Sequence, residues 1–563
     1  MLLAKTIFLI PIIAVGVAAT VHATAYIHGE ARSHLPRFWC FFVATIAAMA
    51  AVVLADAKLP FLLAWEVMGL ASAGLVAFES KEKNVRKATW IYLLACHAGA
   101  CSLMLAGVLL MRPEAYSAAF ALAVVGFGLK IGFPPFHSWL PEAHPAAPAP
   151  ASAIMSGAMI PLGFCGFVKF FSHWSEMEIA NASVIGWTFL ILGAIGSVGG
   201  ILFALPQANL KRLLAFSSVE NMGVVAMGFG LSFLLAGETA GKPLAALCWG
   251  GALAHVLNHA FLKGSLFLAA GSVLRQTGTL DQDKLGGLMR RMPFTGTLFT
   301  LNAFGLAGLP PLNGFLGELA IYIGAFSAIK TGNPILVAAG FIVAVSLSLA
   351  GGFAVAAYTK AVGSVFLGEA RSKAAENAVE TPCRMWIAQL FLAVLSVAMV
   401  PGTVILVHHT TGGYATDMLI VAAMFGLAFT VIVGAILLIR RFACPRGCQK
   451  PRLPVWDCGY DQPTARMAYT ATAFTQPIVD LCRPLLRTRR HVIPFKGHPA
   501  SPSDAAMAIE TGDVAVGALW RPLFTKVARL FQRVHLLQNG SLHLYILIIL
   551  IAVLALLVFA LAS

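Results

Sequence analysis

Apolar runs of about twenty residues recur along almost the whole chain, and each is long enough to cross the hydrocarbon of a bilayer. About fourteen spans are predicted, near 3–26, 37–55, 59–79, 89–111, 117–136, 151–172, 183–204, 213–235, 245–274, 294–329, 335–366, 385–408, 417–439 and 541–562. Runs of this length read as helices, because lipid leaves a spanning backbone no external hydrogen-bond partner. Composition agrees: the 563 residues are 59% hydrophobic and 11% charged, against about 25% charged in soluble domains. The expected fold class is an all-α polytopic membrane protein.

The net charge of +15 would point a soluble chain toward nucleic acid. Here its distribution over the loops reports orientation instead, and no nucleic-acid partner is expected. Lys81, Lys83, Arg86 and Lys87 follow the third span, while Arg32 and Arg37 follow the first. Lys211, Arg212, Arg275, Lys284, Arg290 and Arg291 fall on the same side, and Glu176 and Glu178 on the other. Both termini are therefore expected outside and the basic loops in the cytoplasm. Reading the first span as a cleaved signal would place Arg32 and Arg37 outside, against the bias. The ten cysteines contain no CxxC. Most lie in spans as small hydrophobes, and Cys444, Cys448, Cys458 and Cys482 match no common zinc or iron-sulfur spacing.

"GFPPFHSWLPE" (Gly132 to Glu142) and "GLPPLNGFLGE" (Gly308 to Glu318) align without a gap, and both interrupt a span. The copies stand five spans apart, so they enter the membrane in opposite directions. Inverted repeats with broken helices mark transporters, since unwound backbone must line a cavity or be buried in protein. The alternative is that each proline pair simply kinks a packed helix.

Charges inside the spans cost about 2.5–3.5 kcal/mol each on insertion scales, so they persist where they face a partner or water. The series comprises Glu66, Lys130, Glu220, His255, His259, Lys263, Glu318 and, nearer the cytoplasmic end of its span, Lys360. His137 and His144, beside the first break, are counted with it as proton-transfer candidates. His255, His259 and Lys263 are spaced i, i+4, i+8, which stacks them on one helical face over about 12 Å. That geometry suits a proton wire better than a metal site, because no carboxylate follows at useful spacing and lysine is a poor ligand. Glu66 is the natural partner for Lys130, a static buried ion pair being the alternative to a relay. For His22 and His97 a structural hydrogen bond is expected.

These motifs, with "GFGLKIGFPPFHSWLPEAHPAAPAPASAIMSG", "NLKRLLAFSSVENMG" and "HVLNHAFLKGSLFLAAGSV", resemble the antiporter-like subunits shared by respiratory complex I, Mrp-type antiporters and membrane-bound hydrogenases, over roughly residues 55 to 400. "WDCGY" followed by "RMAYTATAFTQPI" (Arg466 to Ile478) is similar to the large antiporter-like subunit of formate hydrogenlyase and related group 4 nickel-iron hydrogenase complexes. The resemblance implies two inverted five-helix bundles joined by a polar axis. It matches Glu66 and Lys130 to a glutamate-lysine pair, Lys263 to a central lysine, Glu318 to a terminal group, and His255 and His259 to the connecting path. It also implies a subunit without its own redox cofactor, whose [NiFe] centre and Fe-S clusters sit in partner subunits of a prokaryotic inner-membrane complex. The partners implied are other membrane subunits and cytoplasmic hydrogenase or dehydrogenase subunits.

Two departures bear on function. Pro161 stands where many relatives of this kind carry a lysine, leaving Ser152 and Ser156 as the nearest polar residues, and only two spans precede Glu66 where four are usual. The division expected is 1–55 peripheral helices, 56–204 first bundle, 205–368 second bundle, 369–440 peripheral helices, 441–540 cytoplasmic loop and 541–563 final span. Within the loop, "LWRPLFTKVARLFQRVHLLQ" sets Leu519, Leu523, Val527 and Leu530 on one face and Arg521, Lys526, Arg529 and Arg533 on another. This is an amphipathic helix for the lipid interface or for bracing a neighbour. The expected function is ion translocation, protons by preference, coupled to redox chemistry elsewhere. The alternatives are a complex I, Mrp or related ion-coupled subunit, and a pump-inactive scaffold.

Overall fold

A computed structural model describes residues 2–27, 34–173, 182–238, 241–310, 312–443, 469–493, 506–534, 546–547 and 550–551. The helices, in chain order, are α1 (Leu2–Tyr26), α2 (Leu35–Leu54), α3 (Lys58–Val76), α4 (Lys83–Leu109), α5 (Tyr116–Ile131), α6 (Leu140–Ala146), α7 (Ala149–Ile154), α8 (Leu162–Val168), α9 (Ala182–Ala204) and α10 (Leu210–Ala236). They continue with α11 (Lys242–Thr277), α12 (Leu288–Arg291), α13 (Pro293–Leu306), α14 (Asn313–Lys330), α15 (Pro334–Val365), α16 (Lys373–Glu376), α17 (Cys383–Thr411), α18 (Thr416–Ala443), α19 (Ala471–Leu481), α20 (Arg483–Leu486) and α21 (Arg521–Val534). Among the described residues, 12 helical stretches are long and apolar enough to cross a membrane, and each falls on an expected span. The run 294–329 is divided between α13 and α14, and most of 541–562 lies outside the described residues. One small sheet was not foreseen: β1 (Arg489–Ile493) pairs antiparallel with β2 (Ala506–Glu510), Arg489 opposite Glu510.

The chain forms two compact units, Met1–Thr511 and Gly512–Ser563. In the second, α21 carries the expected amphipathic pattern, with Leu523, Phe524, Leu530 and Phe531 all exposed. In the first, the stretch 149–171, α10 and α11 form the centre: 94%, 89% and 83% of their most apolar stretches are buried, against 11% for α18. A helix that is apolar all round can be buried all round, and polar side chains on such a helix necessarily face protein.

α9 and α10 approach closely because glycine recurs every seventh residue on both, at Gly186, Gly193 and Gly200 and at Gly223 and Gly230. A Cβ on Gly223 would stand 2.3 Å from the Ser197 nitrogen, and one on Gly200 would stand 2.5 Å from that of Glu220. Small residues at a regular interval let membrane helices pack backbone to backbone.

Both proline breaks are present. α5 ends in a left-handed Gly132 (φ 84°) whose N–H donates to the Gly128 oxygen at 2.8 Å. A Cβ there would lie 2.3 Å from Leu140 Cδ1. The indole N–H of Trp139 donates to the Leu129 carbonyl at 2.6 Å, satisfying a group the helix end leaves open. The second break turns at Gly308 (φ 68°). α7 continues through a π-helical segment, Met155–Met159, into α8. Pro161 sits at that junction, where a proline's missing N–H is tolerated.

Gly223→Ala is expected to cost about 1–3 kcal/mol by overpacking the α9/α10 contact. The melting temperature of the solubilised protein checks this, with Gly199→Ala, which meets nothing within 4 Å, as the silent control.

Candidate functional site

The polar residues of α10, α11 and α15 meet at one centre. Lys263 is fully buried, and its ammonium donates to the Leu214 carbonyl at 2.9 Å, to the Ser217 hydroxyl and to the Tyr358 hydroxyl at 3.3 Å. Three acceptors match the three donors of an ammonium. The Ser217 and Tyr358 hydroxyls are themselves 2.9 Å apart. One turn along α10, Asn221 donates to the Ser217 carbonyl at 2.8 Å and to Glu220 Oε2 at 3.2 Å. Its side-chain oxygen therefore faces His255 Nε2, 3.0 Å away, which makes that nitrogen the donor. Lys263, Ser217, Tyr358, Asn221, Glu220 and His255 thus form one bonded network. His259, between His255 and Lys263 on α11, is fully buried, and neither of its ring nitrogens meets a hydrogen-bond partner among the described residues.

The second break adjoins this network. Asn313, the first residue of α14, is cross-linked to Asn258 of α11: Asn258 Nδ2 donates to the Asn313 carbonyl at 2.8 Å, and Asn313 Nδ2 to Asn258 Oδ1 at 3.0 Å. Gly317 lies against His255, since a Cβ there would be 3.3 Å from His255 Cβ. Next to it, Glu318 turns its carboxylate onto the break: a Cβ on Gly308 would lie 2.8 Å from Glu318 Oε2. Sequence spacing alone could not place this carboxylate beside the unwound backbone.

In the first bundle the expected pair is rearranged. Glu66 Oε1 lies 2.6 Å from His97 Nδ1, so the carboxylate is the partner of His97, which thereby has a structural hydrogen bond as expected. Lys130 is buried elsewhere, donating to Cys96 Sγ at 3.5 Å with its ammonium 5.7 Å from the Trp65 ring centre and 5.5 Å from that of Tyr92. The aromatic faces supply the negative charge density that a carboxylate was expected to give. A cavity of about 10 Å³ lined by Trp65, Cys96, Lys130 and Trp139 adjoins the ammonium, enough for a single water. The Tyr92 hydroxyl is 2.6 Å from that of Ser72.

His137 is buried, its ring 6.1 Å from that of Phe216 on α10. His144 stacks on Phe267 of α11 at 4.9 Å, and both its ring nitrogens are buried with no hydrogen-bond partner among the described residues. Ser152 donates to the His144 carbonyl at 3.0 Å, whereas Ser156 reaches Ser218 of α10 at 2.9 Å. Ser218 in turn donates to the Leu214 carbonyl at 3.0 Å, the same oxygen that holds Lys263, so the π-helical segment beside Pro161 is linked to the central network through that carbonyl.

Lys360 is buried at the end of α9, donating to the Leu205 carbonyl at 2.6 Å and to the Gln207 carbonyl at 2.7 Å. Nearby in the loop, burial lowers the Arg371 guanidinium from its ordinary value, and Asp283 and Asp281 work against that.

Two buried lysines escaped the sequence reading. Lys211, read as a loop charge, donates to the Ala147 carbonyl at 2.7 Å. Lys169 donates to the carbonyls of Val52, Val53 and Ala55 at 3.0, 2.7 and 2.6 Å. Both sit at helix ends, where a lysine in sequence is indistinguishable from one in water. Among the described residues no cluster of three or more histidine, cysteine, aspartate or glutamate side chains could hold a metal ion. Cys444, Cys448 and Cys458 lie outside the described residues.

Comparison with known proteins follows the same lines. Residues 110–348 match the family described as NADH:quinone oxidoreductase/Mrp antiporter, TM. Hydrogenase-4 component B of Escherichia coli (strain K12) is 33% identical over 91% of this chain and 81% of its own length. Formate hydrogenlyase subunit 3 of the same strain is 32% identical over 80% and 75%. In fold, a chain of the membrane-bound sulfane sulfur reductase, an archaeal respiratory membrane complex, superposes with a TM-score of 0.74 at 21% identity, covering 98% of this chain and 88% of that one.

Asn258→Leu is expected to cost about 1–3 kcal/mol, because it leaves the buried Asn313 amide without its partner. Thermal unfolding of the solubilised protein measures the loss.

Proposed function

We propose, from the premise that this chain belongs to the family of antiporter-like membrane subunits found in hydrogenase, Mrp antiporter and NADH:quinone oxidoreductase complexes, that it translocates protons through its buried polar axis. It does so as one membrane subunit of a hydrogenase or formate hydrogenlyase-type complex in a prokaryotic inner membrane, with both termini outside. The observation that carries the reading is the bonded network of Lys263, Ser217, Tyr358, Asn221, Glu220 and His255 inside otherwise apolar helices. Ionisable groups are retained at such depth when they serve a pathway.

The mechanism uses groups that both give and take a proton. Lys263 surrenders one through the Ser217 and Tyr358 hydroxyls, each of which is donor and acceptor. Glu220 and His255, held at the two sides of Asn221, take up the next position, and Glu318 the last, against the second break. The imidazoles of His144 and His259 meet no hydrogen-bond partner among the described residues, a need that bridging water would satisfy. Ser156 links the first bundle to Ser218 without the lysine that Pro161 replaces. Lys130, seated among aromatic faces beside a water-sized cavity, is the corresponding charge of the first bundle. Glu66, Lys130, His137, His144, Glu220, His255, His259, Lys263, Glu318 and Lys360 are the residues assigned to the relay.

The Glu66–His97 pair supports a contact with a membrane partner. Its side chains are 24% and 50% exposed on helices whose neighbouring surface is apolar, with Leu63, Val67 and Leu94 all exposed. A carboxylate and an imidazole facing lipid are costly, which supports this face of α3 and α4 packing against another membrane subunit. Redox centres, [NiFe] and Fe-S, belong to partner subunits in this reading.

Replacing Lys263 by alanine in the assembled complex is expected to reduce proton uptake on the order of tenfold or more while redox turnover continues. Uptake measured in sealed membrane vesicles checks this. Coupling that survives both Lys263→Ala and Glu66→Gln would establish the scaffold reading instead.

A further inference from the structure

The sequence "TATAFTQPI" lies outside the matched antiporter core, and the relay above does not use it. In the structure it forms α19, whose Ala471, Thr475 and Val479 are buried on one face. Thr472 engages Asp283 twice, its N–H donating to Oδ1 at 3.1 Å and its hydroxyl to Oδ2 at 2.5 Å. One turn on, the Thr475 hydroxyl donates to the Leu205 carbonyl at 3.1 Å. That carbonyl is one of the two that hold Lys360. The other, Gln207, also accepts Gln282 Nε2 at 3.1 Å, and Gln282 is the neighbour of Asp283 in the chain.

These bonds close a ring. It runs from Lys360 to Leu205, Thr475, Thr472, Asp283, Gln282, Gln207 and back to Lys360. Lys360 itself is 2% exposed and Gln282 is fully buried. On the inner side, Tyr358, two residues before Lys360 on α15, bonds Lys263 and Ser217. Lys360 thus stands on the same helix as a member of the central network and binds the loop after α9, on which α19 also rests.

We propose that α19 is a cap whose Thr472 and Thr475 are positioning residues: they hold the loop-side mouth of the second bundle closed over Lys360, and proton exchange there requires their bonds to Asp283 and Leu205 to open. The cap rests on the relay reading for its purpose, but its existence is a separate matter of access. Two hydroxyl side chains one turn apart, holding a carboxylate and a helix-end carbonyl, make a closure that rotation of the Asp283 and Thr475 side chains opens. Neither residue exchanges a proton in this scheme; both act through Lys360.

The test uses the full chain in native membranes with its complex assembled. Lys360→Cys introduces a thiol at the mouth, and a membrane-impermeant maleimide is applied from the side of the basic loops, with labelling read site by site by mass spectrometry. Adding Thr472→Val and Thr475→Val together raises the labelling rate at position 360 by about tenfold, as expected for two lost hydrogen bonds of ordinary strength. Thr475→Ser, which keeps the hydroxyl, leaves the rate unchanged. Cys248, fully buried on α11, stays unlabelled throughout. An unchanged rate in the double valine variant overturns the cap, and so does a parallel rise at Cys248, which signals general loosening. Proton uptake by Lys360→Ala is measured apart from this: uptake left intact there refutes the relay role of Lys360, while the labelling result alone decides the cap.

Discussion

An ammonium group taken into hydrocarbon must be given oxygen atoms, and this chain gives it the carbonyls of other helices. Lys169 binds three at the end of α2, Lys211 one after α6, Lys360 two after α9, and Lys263 one within α10 together with two hydroxyls. The arrangement serves both sides. The last carbonyls of a helix lack internal donors and carry the negative end of its dipole, so Lys169, Lys211 and Lys360 each complete a helix terminus, while Lys263 binds a carbonyl inside a helix. Most of these contacts join helices distant in sequence, and the buried charges are thereby the fasteners of the bundle as well as its ionisable groups. Lys130 is the exception, held by aromatic faces and a thiol in place of carbonyls.

The proline breaks obey the same accounting. Unwinding a helix frees backbone groups that lipid cannot satisfy. At the first break a tryptophan indole meets one of them, and at the second a carboxylate lies against the turn. The two repeats share a sequence pattern but differ in what stands beside the unwound segment: a carboxylate, Glu318, at the second, and at the first a lysine, Lys130, seated among aromatic faces.

Much of this could be read before any coordinates. The spans announce themselves by apolar length, the breaks by paired prolines in matched surroundings, and the stacking of His255, His259 and Lys263 by helical periodicity. Partner choice could not be read. Glu66 binds His97 and not Lys130 because α3 and α4 pack side by side, a fact no local pattern encodes. Lys211 and Lys169 look like solvated charges because burial at a helix end depends on which other helix ends there. The role of Asn221 is equally hidden, since an asparagine inside an apolar run gives no sign of which neighbours it bridges. The seven-residue spacing of glycines on α9 and α10 went unread as well, because a regular interval of small residues does not say which helix it packs against until the structure brings the two together.

That glycine seam limits how the molecule can move. With backbone resting on backbone, a slide of α9 along α10 by less than a full repeat would drive Cα atoms into carbonyls, and the next register that fits lies about 10 Å away. No thermal excursion of a packed membrane helix reaches so far, so these two helices act as an immobile keel. Any alternation of access between the faces of the membrane is thereby left to side chains and to the unwound segments at Gly132 and Gly308, which lie outside that seam.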